Sequence, residues 1–169
     1  MDDVSAGQRS LRVTWEDPGV LAAAARTMPG LEFLRAIRDG RLPPPPIAQL
    51  LGFRLVEAEP GHAVFEVTPA EQHYNPIGVV HGGLAMTLLD SAMGCCVQTR
   101  MPAGVAYTTL EAKTNLVRAI TLSTGRLRAI GRLIHLGKRL ATADGRLEDA
   151  AGKLYAHATT TCMVLADRS

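Results

Sequence analysis

The stretch Asn75-Pro76-Ile77-Gly78-Val79-Val80-His81-Gly82-Gly83-Leu84-Ala85-Met86-Thr87-Leu88-Leu89-Asp90 decides the fold. Its first half carries Pro76, Gly78 and a glycine pair, which are loop and turn signals. Its second half opens a run of apolar residues at helical spacing, predicting a helix from Leu84 to about Thr99. Asp90 is the only charged residue between Gly83 and Val97. A helix apolar on nearly all sides is expected to be buried on nearly all sides. A carboxylate there is costly unless it meets a partner, water or a cleft. Two readings stay open from the helix alone. Asp90 serves as a base or nucleophile, or it is a structural residue bonded to Ser91 or to a strand hydroxyl.

The start of the helix weighs toward function. Backbone N–H groups at a helix N-terminus lack intrahelical partners, and the helix dipole favours negative charge there. Gly82 and Gly83 let another molecule approach that backbone closely. A carbonyl placed there would have its developing oxyanion stabilised. Asn75 can position a water or a carbonyl from the loop. The plainer alternative is a tight turn, in which Gly-Gly is common. Asp90 lies eight residues beyond Gly82. At ~1.5 Å per residue the two are roughly 12 Å apart along one helix. If both act on one carbonyl, two subunits must contribute, which predicts a homodimer with shared sites.

Outward from this segment the pattern is strands. Ala63, Phe65 and Val67 alternate with His62, Val64 and Glu66 upstream, after a Pro60-Gly61 turn. Downstream, strands are expected over 105–116, 122–136, 139–147 and 153–164, with turns at Gly137, Gly145 and Gly152. Leu127, Ala129, Gly131 and Leu133 share one strand face, and Arg126, Arg128 and Arg132 lie on the other. Five to six strands around one long helix make an α+β architecture with an antiparallel sheet. Residues 1–46 read as an N-terminal arm with short helices, one over Leu31 to Ile37, ending in the stiff run Pro43 to Pro46. Residues 47–169 form the main domain.

Composition narrows the function classes. The chain has 169 residues, a net charge of +2 and 4% aromatic residues. Without a long basic run or aromatic platforms, nucleic acid is not an expected partner. The apolar run from Val20 to Ala25 is far too short to cross a membrane. With Asp2 and Asp3 at the start and three unpaired-looking cysteines, Cys95, Cys96 and Cys162, a cytoplasmic setting is expected. No metal spacing and no nucleotide-binding glycine loop is present, so no metal and no cofactor is expected.

Taken together, Asn75-Pro-x-Gly-x-x-His81-Gly82-Gly83, then Asp90, then Thr108-Thr109-Leu110-Glu111 opening a strand, resembles the phenylacetic-acid-pathway (PaaI-like) type of hotdog-fold thioesterase. The 4-hydroxybenzoyl-CoA thioesterases share this plan. The resemblance spans about Leu51 to Leu165. It implies a sheet wrapped around the central helix, a homodimer that is often a dimer of dimers, and hydrolysis of an acyl-CoA substrate. It implies Asp90 as general base or nucleophile, the Gly82 amide as the carbonyl-polarising group, and Asn75 and His81 on the same side. It further implies Thr109 as the hydroxyl near the carboxylate, with Thr108 beside it and Gly83 against the substrate. His135, Lys138 and Arg139 are the basic residues expected to meet the CoA phosphates. Alternatives are a dehydratase or hydratase of the same fold, or a non-enzymatic acyl-CoA binding module.

Overall fold

The computed structural model describes residues 7–165. Three short helices come first: α1 (Pro18–Thr27), α2 (Gly30–Arg38) and α3 (Pro46–Leu51). Then follow β1 (Phe53–Glu59), β2 (His62–Val67), the long helix α4 (Gly82–Gln98), β3 (Ala106–Leu116), β4 (Leu127–Leu136), β5 (Leu140–Asp149) and β6 (Leu154–Leu165). The six strands form one sheet in the order β1-β2-β4-β5-β6-β3, and every pairing is antiparallel. The sheet wraps around α4, which is the hotdog arrangement.

The sheet can wrap so closely because its inner face is built from small residues. Ala63, Ala129, Ala141, Ala143, Ala156 and Ala158 are buried there. They face Leu88, Leu89, Ala92, Met93 and Cys96 of α4 in one core. Each fully buried Leu or Met contributes on the order of 1.5–3 kcal/mol. Gly131 marks the closest approach, since a Cβ there would overlap the Ala92 carbonyl. Register shifts at Leu55/Glu57, Thr109/Glu111, Leu133/His135 and Leu147/Glu148 add the bends that curl the strands.

Several local features differ from the sequence expectation, and Gly145 is one of them: it lies within β5, paired with Gly131 and Ala158, and not in a turn. The proline run does not stay extended throughout, because Pro46 occupies the first turn of α3, where its missing N–H costs nothing. The strand expected from Leu122 begins at Leu127. Leu122–Thr124 instead forms a 3₁₀ turn, held by the Thr121 N–H donating to Thr124 Oγ1 at 3.0 Å. Residues before the proline run also join the main core. Leu34 of α2 is 3% exposed within it, and the Gly30 N–H donates to the Met101 carbonyl at 2.9 Å.

The outer face of the sheet carries the arginines. Arg128 pairs with Glu57 and Glu66, and Arg54 and Arg126 also reach Glu66. Arg126 and Arg128 are thus balanced by cross-strand carboxylates rather than free for a ligand. Among the described residues no helix is long and apolar enough to cross a membrane.

Candidate active site

Two groups of residues flank the open side of α4. The first surrounds the helix start. His81 is the N-cap, and its Nδ1 accepts the Gly83 N–H at 2.8 Å. That bond keeps the ring proton on Nε2 while it stands. The Gly82 N–H has no acceptor among the described residues. It borders a cleft of ≈350 Å³ lined by Asn75, Ala85, Leu116, Arg118 and Ile120, among others. Asn75 Oδ1 accepts from the Ile77 and Val79 N–H groups at 3.0 and 3.3 Å, which closes the loop as an Asx turn. Its oxygen is therefore engaged, and its amide NH₂ is the end left for another molecule.

Behind this loop stands His73, which is buried. Its Nδ1 accepts the Ala70 N–H at 3.0 Å, and its carbonyl accepts the His81 N–H at 2.8 Å. Burial holds its pKa below the ordinary histidine value, offset in part by the Leu51 backbone. The neutral ring braces the loop that presents Gly82.

The second group lies two turns along the helix. Asp90 Oδ1 accepts the Thr109 hydroxyl at 2.9 Å. Thr109 sits at the bulge of β3, facing α4. Met86, Thr87, Ala112 and Thr114 line a separate cleft of ≈480 Å³ around Asp90. Here the structure corrects the expected burial: Asp90 is exposed in the single chain, and Met86 is 46% exposed. The physical reason is that the apolar residues of α4 serve two surfaces. The sheet covers one, and among the described residues the other stays open at Met86 and Asp90.

The remaining residues are placed as follows. Thr108 alternates with Thr109, so it is exposed on the opposite face of β3 from Asp90. His135 is exposed opposite Thr142, and Lys138 and Arg139 occupy the turn between β4 and β5. That turn lies toward the C-terminal end of α4, away from Gly82. Lys138 and Arg139 form no ion pair among the described residues. Sequence reasoning missed the Leu116–Ile120 wall over Gly82, which only the return of β3 alongside α4 brings there. The thiols are no nucleophiles. Burial, aided by the Asp90 charge, pushes Cys95 up to about 12, and burial likewise raises Cys96 and Cys162. No group of described residues has the arrangement of a metal site.

Comparison with known proteins shows the family. Residues 77–156, which include Gly82, Asp90 and Thr109, match the thioesterase superfamily model. Protein PA1618 of Pseudomonas aeruginosa is 32% identical over 145 residues, covering 83% of this chain and 92% of that protein. Human acyl-coenzyme A thioesterase 13 is 34% identical over 113 residues, covering 63% of this chain and 76% of that protein. Among solved structures, a mutant of the phenylacetic acid degradation protein PaaI from Thermus thermophilus superposes with a TM-score of 0.64. It is 29% identical and covers 71% of this chain and 99% of that one. With its helix wrapped in a six-stranded antiparallel sheet and these relatives, the chain belongs to the thioesterase superfamily and is a PaaI-like thioester hydrolase.

Proposed function

We propose that the chain hydrolyses acyl-CoA thioesters, with Asp90 of one subunit acting on a carbonyl held at the Gly82 amide of another. One observation carries this reading. The unpartnered Gly82 N–H and the Asp90 carboxylate border two separate clefts on the one open face of α4. Met86, exposed, stands four residues from each. A two-fold axis through Met86 would bring Gly82 of one helix against Asp90 of an antiparallel copy. An isologous dimer is built in just this way.

The surface beside this face supports such a partner. β3 is an edge strand of 11 residues with one neighbour, β6. Long unprotected edges recruit further strands. Leu110, Leu116, Val117 and Met86 are exposed large apolar side chains along it and the helix.

The chemistry follows from the atoms. The thioester carbonyl oxygen accepts the Gly82 N–H, so the charge of the tetrahedral intermediate develops against the N-terminus of α4. Asp90 either takes a proton from the attacking water or attacks the carbonyl itself, forming an anhydride that water then opens. Both routes add one water and release the free acid and the CoA thiol. Thr109 donates to Oδ1 and leaves Oδ2 for the reaction. His81 occupies the Gly83 N–H and so leaves the Gly82 N–H as the available donor. Lys138, Arg139 and, beside the Gly82 cleft, Arg118 offer the CoA phosphates cations that form no ion pair among the described residues.

The test is thiol release from a panel of butyryl-, benzoyl-, phenylacetyl- and dodecanoyl-CoA. At least one should be hydrolysed with kcat/KM of roughly 10⁴ M⁻¹s⁻¹ or more. No thiol from any of them, with hydration of a trans-2-enoyl-CoA instead, would replace this reading by the hydratase.

A further inference from the structure

A third space lies under the N-terminal helices. It is a cavity of ≈350 Å³ bounded by Leu21 of α1, Phe33 and Ile37 of α2, Leu55 and Phe65 of the sheet, and Cys95 of α4. Its walls are mostly apolar. The two arginines that border it, Arg38 and Arg54, turn their guanidinium groups to Asp39 and Glu66. The Cys95 thiol, protonated at neutral pH, adds no charge.

Protein interiors pack to crystal density, and an empty carbon-lined void destabilises in proportion to its volume. Where such a space opens to solvent, water against its apolar walls is readily displaced by an apolar group. The volume falls in the range of small-molecule pockets.

The cavity and the Asp90 cleft both border α4. Thr87, Ser91 and Cys95 follow one another at four-residue spacing, so they form one row along the helix. All three are small and partly buried. Thr87 lines the Asp90 cleft, and Cys95 lines the cavity. The row covers roughly 12 Å. Ser91, the midpoint, is the sequence neighbour of Asp90.

We propose that this cavity receives the aliphatic tail of the acyl group whose thioester carbonyl lies at Asp90, so that α1 and α2 set the chain length the enzyme accepts. The proposal rests on the hydrolase reading above and adds the substrate class: straight-chain acyl thioesters. The tail leaves the carbonyl, passes over Ser91 and enters beside Cys95. Its methylenes replace the missing packing partners of Phe33, Ile37 and Phe65. A short acyl group ends before Cys95 and gains nothing from the cavity.

Cys95→Phe places a ring in the cavity from the α4 side, and Leu21→Trp narrows it from the roof. In either variant kcat/KM for dodecanoyl-CoA should fall about tenfold or more, while that for butyryl-CoA stays within about twofold, because each methylene denied its pocket carries a separate loss. Binding of the fluorescent fatty acid cis-parinaric acid should be saturable in the wild-type protein and weakened about as much in both variants. An equal loss for both chain lengths, or no change for either, overturns the proposal. If the wild-type protein releases thiol from no acyl-CoA, the hydrolase reading falls. Parinaric acid then decides the cavity alone: saturable binding lost in both variants upholds an aliphatic ligand there, and its absence overturns it.

Discussion

Asp90→Asn is expected to lower kcat for acyl-CoA hydrolysis by on the order of a hundredfold or more, since the reaction loses its base or nucleophile. Asparagine keeps the size of the side chain and a carbonyl oxygen that can still accept the Thr109 hydroxyl. The position of the group should therefore survive while its basicity is lost. KM should change little, because the acyl group and CoA are held by other residues. Stability should also hold, since Asp90 is exposed in the chain and forms no ion pair among the described residues. Steady-state thiol release together with a thermal melt checks both points. Near-normal turnover by a folded Asp90→Asn protein would remove Asp90 from the chemistry.

Gly82→Val is expected to cost a comparable factor, on the order of 10²–10³, which is the usual effect of losing one oxyanion donor. The reason is access. A side chain at position 82 stands where a carbonyl must approach the free N–H. Inside the protein it would meet the tip of Leu116, a flexible group that can move aside. The fold should therefore tolerate the change better than the reaction does. Melting temperature and oligomeric state, measured beside kcat, separate the two effects.

Much of this account was legible in local sequence. The loop signals at Pro76 and Gly78, the glycine pair at the helix start and the carboxylate in an otherwise apolar helix all lie within one short segment. Thr109 was reached through the family resemblance and not through strand alternation, since the register shift at Thr109/Glu111 breaks the period of two there. The exposure of Asp90 was not legible, because a largely apolar helix reads the same whether the sheet covers all of it or leaves one face open. The six-residue helix α3 was hidden because it begins inside a proline run, whose residues also suit an extended linker. The strand start at Leu127 was masked by apolar Leu122, which continues the strand pattern through a 3₁₀ turn. The cavity beside Cys95 has no sequence signature at all. Its walls come from α1, α2, the proline run, α3, β1, β2 and α4, which packing brings together.

The claim that two subunits build each site is tested most directly by mixing two inactive variants. Asp90→Asn subunits keep the Gly82 amide and lack the carboxylate. Gly82→Val subunits keep the carboxylate and obstruct the amide. In a mixed dimer one site has neither defect, and the other has both. Random exchange gives about half mixed dimers, so activity should recover to roughly a quarter of the wild-type value, as two-fold symmetry requires. Each parent is first shown to be folded and dimeric, and exchange is confirmed by mass or by affinity tags. Recovery near that level is the predicted result. No recovery after confirmed exchange would contradict it and would mean that each chain completes its own site.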